Sequence, residues 1–88
     1  MITITIYGQG YQSPGDGSDI QSTISIDDKE YERIMSRAIR MGKCIDEMDF
    51  GDLTKDLQRR MERKLKAEWG YHDGEEWNTF VSHFSINT

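Results

Sequence analysis

Polar and apolar residues alternate strictly over the first seven positions, MITITIY, with Ile2, Ile4 and Ile6 on one face and Thr3, Thr5 and Tyr7 on the other. A period of two is the pattern of a strand with one buried side. DIQSTISI, residues 19–26, repeats it with Ile20, Ile24 and Ile26 sharing a face, interrupted by Ser22. The two segments predict an antiparallel hairpin. The stretch between them, YGQGYQSPGDGSD at 7–19, then reads as a long connection, since hairpin loops usually run about two to five residues.

After Ile26 the period changes. Asp27 is placed to cap a helix and Glu30, three positions on, to complete a capping box, with Ile26 and Tyr31 at the staple positions. Tyr31, Ile34, Met35, Ala38 and Met41 fall on one side at helical spacing, and Gly42 supplies the stop. The linker GKCIDEMDFGD, residues 42–52, sets Asp46, Glu47, Asp49 and Asp52 around Ile45, Met48 and Phe50. A second helix follows, with Leu53, Leu57, Met61, Leu65 and Trp69 recurring every four residues as far as Gly70.

The tail supports two periods. As a helix, Asp73 caps, Glu76 completes a box, and Trp77, Phe80, Val81 and Phe84 share a stripe. As a strand, Phe80, Phe84 and Ile86 share a face while Trp77 and Val81 fall opposite. Because the helix gathers all the large residues, the reading is one α+β domain over 1–88: an N-terminal antiparallel β-hairpin packed on two amphipathic helices, with a short C-terminal helix. A third C-terminal strand is the alternative, and it would relieve the weakness of an isolated hairpin.

An 88-residue chain has one small core, so marginal stability or association into a homodimer is expected. No apolar run approaches the roughly 20 residues of a membrane helix, and the N-terminus has neither a basic leader nor an apolar signal core. A cytoplasmic protein without membrane contact is the expectation. Cys44 is the single cysteine, which excludes an intramolecular disulfide and a cysteine metal cage.

The glycine stretch is the first candidate for chemistry. Its third glycine is out of register for GxGxxG and a strand follows where a dinucleotide site needs a helix; a P-loop's Lys and Ser/Thr are also missing. Asp16 and Asp19 lack the alternating ligands of a calcium loop. Tyr11 among glycines, Gln and Ser fits a protein-recognition loop, mobile until it meets a partner. His72 and His83 lack a third zinc ligand at suitable spacing, and no nucleophile-base pair is recognisable. No cofactor, metal or catalytic residue is assigned, and a non-enzyme is expected.

Charge separates along the chain. The net charge is −5, yet residues 54–67 carry six basic and two acidic side chains. On the second helix Lys55, Arg59, Arg63 and Lys66 form a stripe opposite the apolar face, and on the first Lys29, Arg33, Arg37 and Arg40 do likewise. Acidic residues gather instead in loops: Asp16 and Asp19, Asp46 to Asp52, and Asp73 to Glu76. If these loops converge, Tyr11, Asp46, Glu47, Met48, Asp49, Phe50 and Asp52 make an acidic patch with apolar anchors, suited to a basic protein surface that otherwise holds nucleic acid. The expectation is therefore a small acidic binding protein, an inhibitor of a nucleic-acid-handling enzyme, with a profile shared by phage-encoded anti-defence proteins. The alternative is a nucleic-acid-contacting or regulatory module using Lys55, Arg59, Arg63 and Lys66.

Overall fold

In the computed structural model, which describes residues 1–12, 17–72 and 74–87, strand β1 (Ile2–Tyr11) is paired on both sides. It runs antiparallel to β2 (Ser18–Ile26) and to β5 (Asn78–Asn87), giving the order β2-β1-β5. Helix α1 (Asp28–Arg40) follows β2. Two single-turn 3-10 helices at Ile45–Glu47 and Phe50–Asp52 lead to α2 (Lys55–Trp69). A two-residue ladder of β3 (Tyr71–His72) and β4 (Glu75–Glu76), turning through Gly74 at φ 78°, joins α2 to β5.

The α+β hairpin-and-helices architecture stands, but the tail is the third strand and not a helix. Counting alternate residues misleads here because β5 carries an extra residue. Tyr7 pairs with His83 and Gly8 with Val81, leaving Ser82 as a β-bulge. The bulge reverses the inward parity, so Thr79 and Val81 before it and Phe84 and Ile86 after it all lie on the face of Ile4 and Ile6. Ser82 Oγ donates to the Tyr7 carbonyl at 3.1 Å and satisfies a group that the bulge disturbs. Asp73, read as the cap of a tail helix, lies outside the described residues.

The strands also run further into the glycine stretch than alternation alone suggests. Gly8 pairs with Ile20 and Gly10 with Ser18, so the connection between strands is residues 12–17, of which 13–16, with Asp16, lie outside the described residues. Gly8 is a packing glycine. A Cβ there would overlap the Phe80 carbonyl and come within 2.7 Å of Leu65 Cδ2.

Both helices contribute to one core against one sheet face. Ile4, Ile6, Ile20 and Ile26 pack with Ile34 and Ala38 of α1, with Leu57, Met61 and Leu65 of α2, and with Met48 and Leu53 of the connection. Ser22, the break in the β2 pattern, is buried and donates to Glu68 Oε2 at 2.8 Å, and Glu68 also pairs with Lys64. Trp69 donates from Nε1 to the Gln21 carbonyl at 2.9 Å, covering part of the β2 edge. The expected cap forms at Asp27, which accepts from Glu30 N–H, and Thr54, not among the expected caps, accepts from Leu57 N–H. Gly42, at φ 71°, ends α1. The Glu30 side chain goes to Arg60 instead of closing the capping box. Helix α1 buries a narrower stripe than its spacing suggests, since Met35 and Met41 are exposed.

Replacing Gly8 with Ala should destabilise the fold by about 1–3 kcal/mol through overpacking, and Leu65→Ala by about 2–5 kcal/mol through a cavity. Urea unfolding of each variant checks both. Because both side chains would occupy the same gap, the Gly8→Ala, Leu65→Ala double variant should lose less than the two single losses added.

Candidate functional site

Both acids and bases are positioned by local hydrogen bonding. In the 44–52 connection the acidic residues first hold their own backbone. Glu47 Oε1 accepts from Cys44 N–H at 3.0 Å, and Asp52 Oδ2 accepts from Asp49 N–H at 2.9 Å and from Lys43 Nζ at 2.8 Å. The hydrogen bond from Lys43, then that from Asp49 N–H, lowers the Asp52 pKa below the usual carboxylate value; in return the bond to Asp52 raises Lys43. Glu47 is lowered by the Cys44 N–H and then by the thiol, and its hydrogen bond raises the Cys44 pKa. The thiol is thereby held protonated, the reverse of an activated nucleophile.

The seven predicted contact residues do not form one patch. Met48 is buried and Phe50 half-buried against the core, so neither stands out as an anchor. Asp46, Glu47 and Asp49 are exposed, and Asp52 is half-buried beside Lys43. Ile45, Asp46 and Met48 border Phe84, Ser85 and Ile86 of β5. Tyr11 pairs with Asn78, seven residues away along the same strand, or about 20 Å at strand rise. Asp19, Glu75 and Glu76 share Tyr11's end, where Gln12 Nε2 donates to Glu75 at 2.6 Å. The described acidic residues of these loops thus lie toward opposite ends of the sheet.

Between those ends lies a surface that motif reading passed over. The face of β1, β2 and β5 turned away from the helices carries Thr3, Thr5, Tyr7, Gln9 and Tyr11; Asp19, Gln21, Thr23 and Ser25; and Asn78, Phe80, His83, Ser85 and Asn87. None of these residues is buried, and Asp19 is the one Asp, Glu, Lys or Arg among them. Tyr7 and His83 stack with centroids 4.7 Å apart at 13°, and Tyr11 meets Phe80 edge-on at 5.9 Å. Ser82 gives its hydroxyl proton to the Tyr7 carbonyl and lies 3.0 Å from His83 Nδ1. A carbonyl can only accept, so neutral His83 carries its proton on Nδ1 and offers Nε2 as an acceptor. Beside this pair, Gly8, Asp19, Gln21 and Trp69 complete a depression of about 530 Å³. The polar alternation Thr3, Thr5, Tyr7 marked this face in the sequence, but the bulge hid the share of β5.

The basic stripes divide. Lys55, Arg59 and Lys66 are exposed on the outer side of α2, Arg59 with a 4.0 Å contact to Asp56. Arg63 lies instead on the flank toward α1, where it lines a groove with Arg33, Arg37 and Arg60. Among the described residues no three His, Cys, Asp or Glu side chains come together as metal ligands would, and no helix is long and apolar enough to cross a membrane.

The Lys43–Asp52 pair should set a pH window. A lowered Asp52 pKa stabilises above the ordinary carboxylate value near 4, and that contribution disappears as pH falls through the folded-state value. A raised Lys43 contributes below its ordinary value, 10.5, and loses its contribution as pH rises through the folded-state value. Asp52→Asn should therefore lower the melting temperature at pH 7, with the difference from the parent shrinking toward pH 3.

Compared with protein-family models, curated proteins and solved structures, the chain gives no significant match to any of the three.

Proposed function

We propose that this chain is a non-catalytic binding protein that acts by contact with another protein through the uncovered face of its sheet. The observation carrying this reading is the composition of that face: Tyr7, Tyr11, Phe80 and His83 set among small and amide side chains, on the side of the sheet away from the core shared with the helices. Aromatic rings held rigid by strands present large contact area at low entropic cost, and the hydroxyls and amides around them supply adaptable hydrogen bonds. Phe80 is 45% exposed, a cost in water that a partner would remove.

Charge supports a basic partner. Asp19, Glu75 and Glu76 stand at one end of the sheet and Asp46 and Asp49 at the other. Such a surface suits the nucleic-acid-binding face of an enzyme, where carboxylates take the positions of phosphates and block access. Inhibition of a nucleic-acid-handling enzyme is the activity that this arrangement would produce. A second reading, nucleic-acid contact through α2, draws on the exposure of Lys55, Arg59 and Lys66.

Capture of a partner from host lysate on the immobilised protein, followed by affinity measurement with variants, tests both. Tyr11→Ala with Phe80→Ala should weaken the complex by about 2 kcal/mol or more, roughly thirty-fold in Kd, while circular dichroism and melting remain those of a folded protein. Asp46→Lys with Asp49→Lys should mainly slow association and flatten its salt dependence. A partner held equally well by the aromatic variant would remove the sheet-face reading. Retardation of an oligonucleotide at low salt, abolished by Arg59→Glu with Lys66→Glu, would establish the second.

A further inference from the structure

The groove between α1 and α2 goes beyond the sheet-face reading and lies in the helical layer, on the other side of the sheet. It measures about 470 Å³ and is lined by Arg33 and Arg37 from α1, Arg60 and Arg63 from α2, with Ile34, Leu53 and Leu57 at its base. That volume falls in the range of small-molecule sites, roughly 300–1,000 Å³. Four guanidinium groups around one groove repel one another, and a protein of net charge −5 has carboxylates enough to neutralise them. The neutralisation is only partial. One Arg60 nitrogen donates to both Glu30 oxygens at 2.7 Å, and Arg37 Nε donates to the Asp52 carbonyl. Among the described residues Arg33 and Arg63 have no ion pair or side-chain hydrogen bond. Asp56, the other acid at the groove, is 95% exposed and makes its contact with Arg59.

We infer that this groove binds a compact polyphosphate anion, either free or as the phosphate tail of a nucleotide, with Arg33 and Arg63 as its principal contacts. Guanidinium forks match the oxygen edges of phosphate, and charge-assisted hydrogen bonds of this type are the strong ones. The amino-terminal turn of α2, which borders the groove through Thr54 and Asp56, adds the positive end of a fifteen-residue helix. The ligand is compact because the four guanidinium groups converge on one groove of about 470 Å³. Outside it the charges are mixed, with Glu32 beside Lys29 and Arg40 on α1 and Glu62 among the basic residues of α2, so a short anion gains most of what a longer strand would.

Titration calorimetry at low salt with pyrophosphate, ADP, adenosine and a single-stranded oligonucleotide decides the matter. Pyrophosphate and ADP should bind and adenosine should not; tighter binding of ADP identifies a nucleotide tail, whereas equal binding identifies free polyphosphate. Arg33→Gln with Arg63→Gln should weaken pyrophosphate by about tenfold or more, the scale of one lost charge-assisted contact. Arg59→Gln with Lys66→Gln removes the same charge outside the groove and should weaken it less than about twofold. Both pairs are exposed, and unchanged melting of the free variants verifies that the fold persists. If pyrophosphate fails to bind, if the two double variants lose equal affinity, or if the oligonucleotide binds more tightly than pyrophosphate, the inference is wrong.

Discussion

At Gly8 the absence of a side chain lets the β5 backbone and Leu65 of α2 close on β1 from two directions. One position later on the partner strand, Ser82 is squeezed out as the bulge and ties itself to the Tyr7 carbonyl. The close approach and the bulge act together. Gly8 removes volume where α2 presses on the sheet, and Ser82 resets the parity of β5 so that Val81, Phe84 and Ile86 can all reach the same core. Without the reset, either Val81 or the pair Phe84 and Ile86 would lose its half-burial against the core and lie in water. The same reset leaves Phe80 and His83 on the open face beside Tyr11 and Tyr7. Core and candidate binding surface are thus two sides of one local arrangement.

That coupling explains what the sequence could and could not disclose. Regular periodicity was readable: the isoleucines of β1 and β2, the four-residue spacing of α2, and the caps at Asp27 and Thr54 are local patterns with local causes. Asp27 and the leucine spacing are legible from the sequence, whereas Thr54 is hidden because the apolar spacing includes Leu53 and so makes the helix look longer at its start. The tail reads as a helix because a parity count without a bulge puts its large residues on two faces of a strand. Trp77 and Val81 seemed to fall on the wrong face, when the face itself changes at Ser82. Gly8 and Gly10 were assigned to a loop because glycine commonly marks turns. Here Gly8 answers to a close approach by residues 57 and 72 positions away, which no local window contains.

The candidate sites were legible in their parts and not in their assembly. The acids of 46–52 are neighbours in the sequence, but Glu47 and Asp52 hold backbone N–H groups at short helical turns, a capping role that consumes much of their hydrogen-bonding capacity. Met48 and Phe50 look like anchors only until the connection folds inward onto the core. For the bases, each helix showed its stripe, yet which arginines meet depends on how α1 and α2 lie against each other. Arg60 belonged to neither stripe and still lines the groove, because it sits on the flank of α2 next to α1.

Net charge is a poor guide to such a molecule. Its principal extents are 42 × 24 × 20 Å, while the screening length at physiological ionic strength is about 8 Å. Charges at the Tyr11 end of the sheet are therefore largely invisible to a small anion between the helices. What the anion meets is the local set: four guanidinium groups, Glu30 already engaged by Arg60, Asp56 directed toward Arg59, and Asp52 beside Arg37 with its carboxylate held by Lys43. An overall acidic balance argues against winding a long nucleic acid across the surface, since that ligand samples many screening lengths. It has little bearing on a ligand that fits within one. The open sheet face and the arginine groove can accordingly serve different partners on opposite sides of one small core, with the sheet itself keeping them apart.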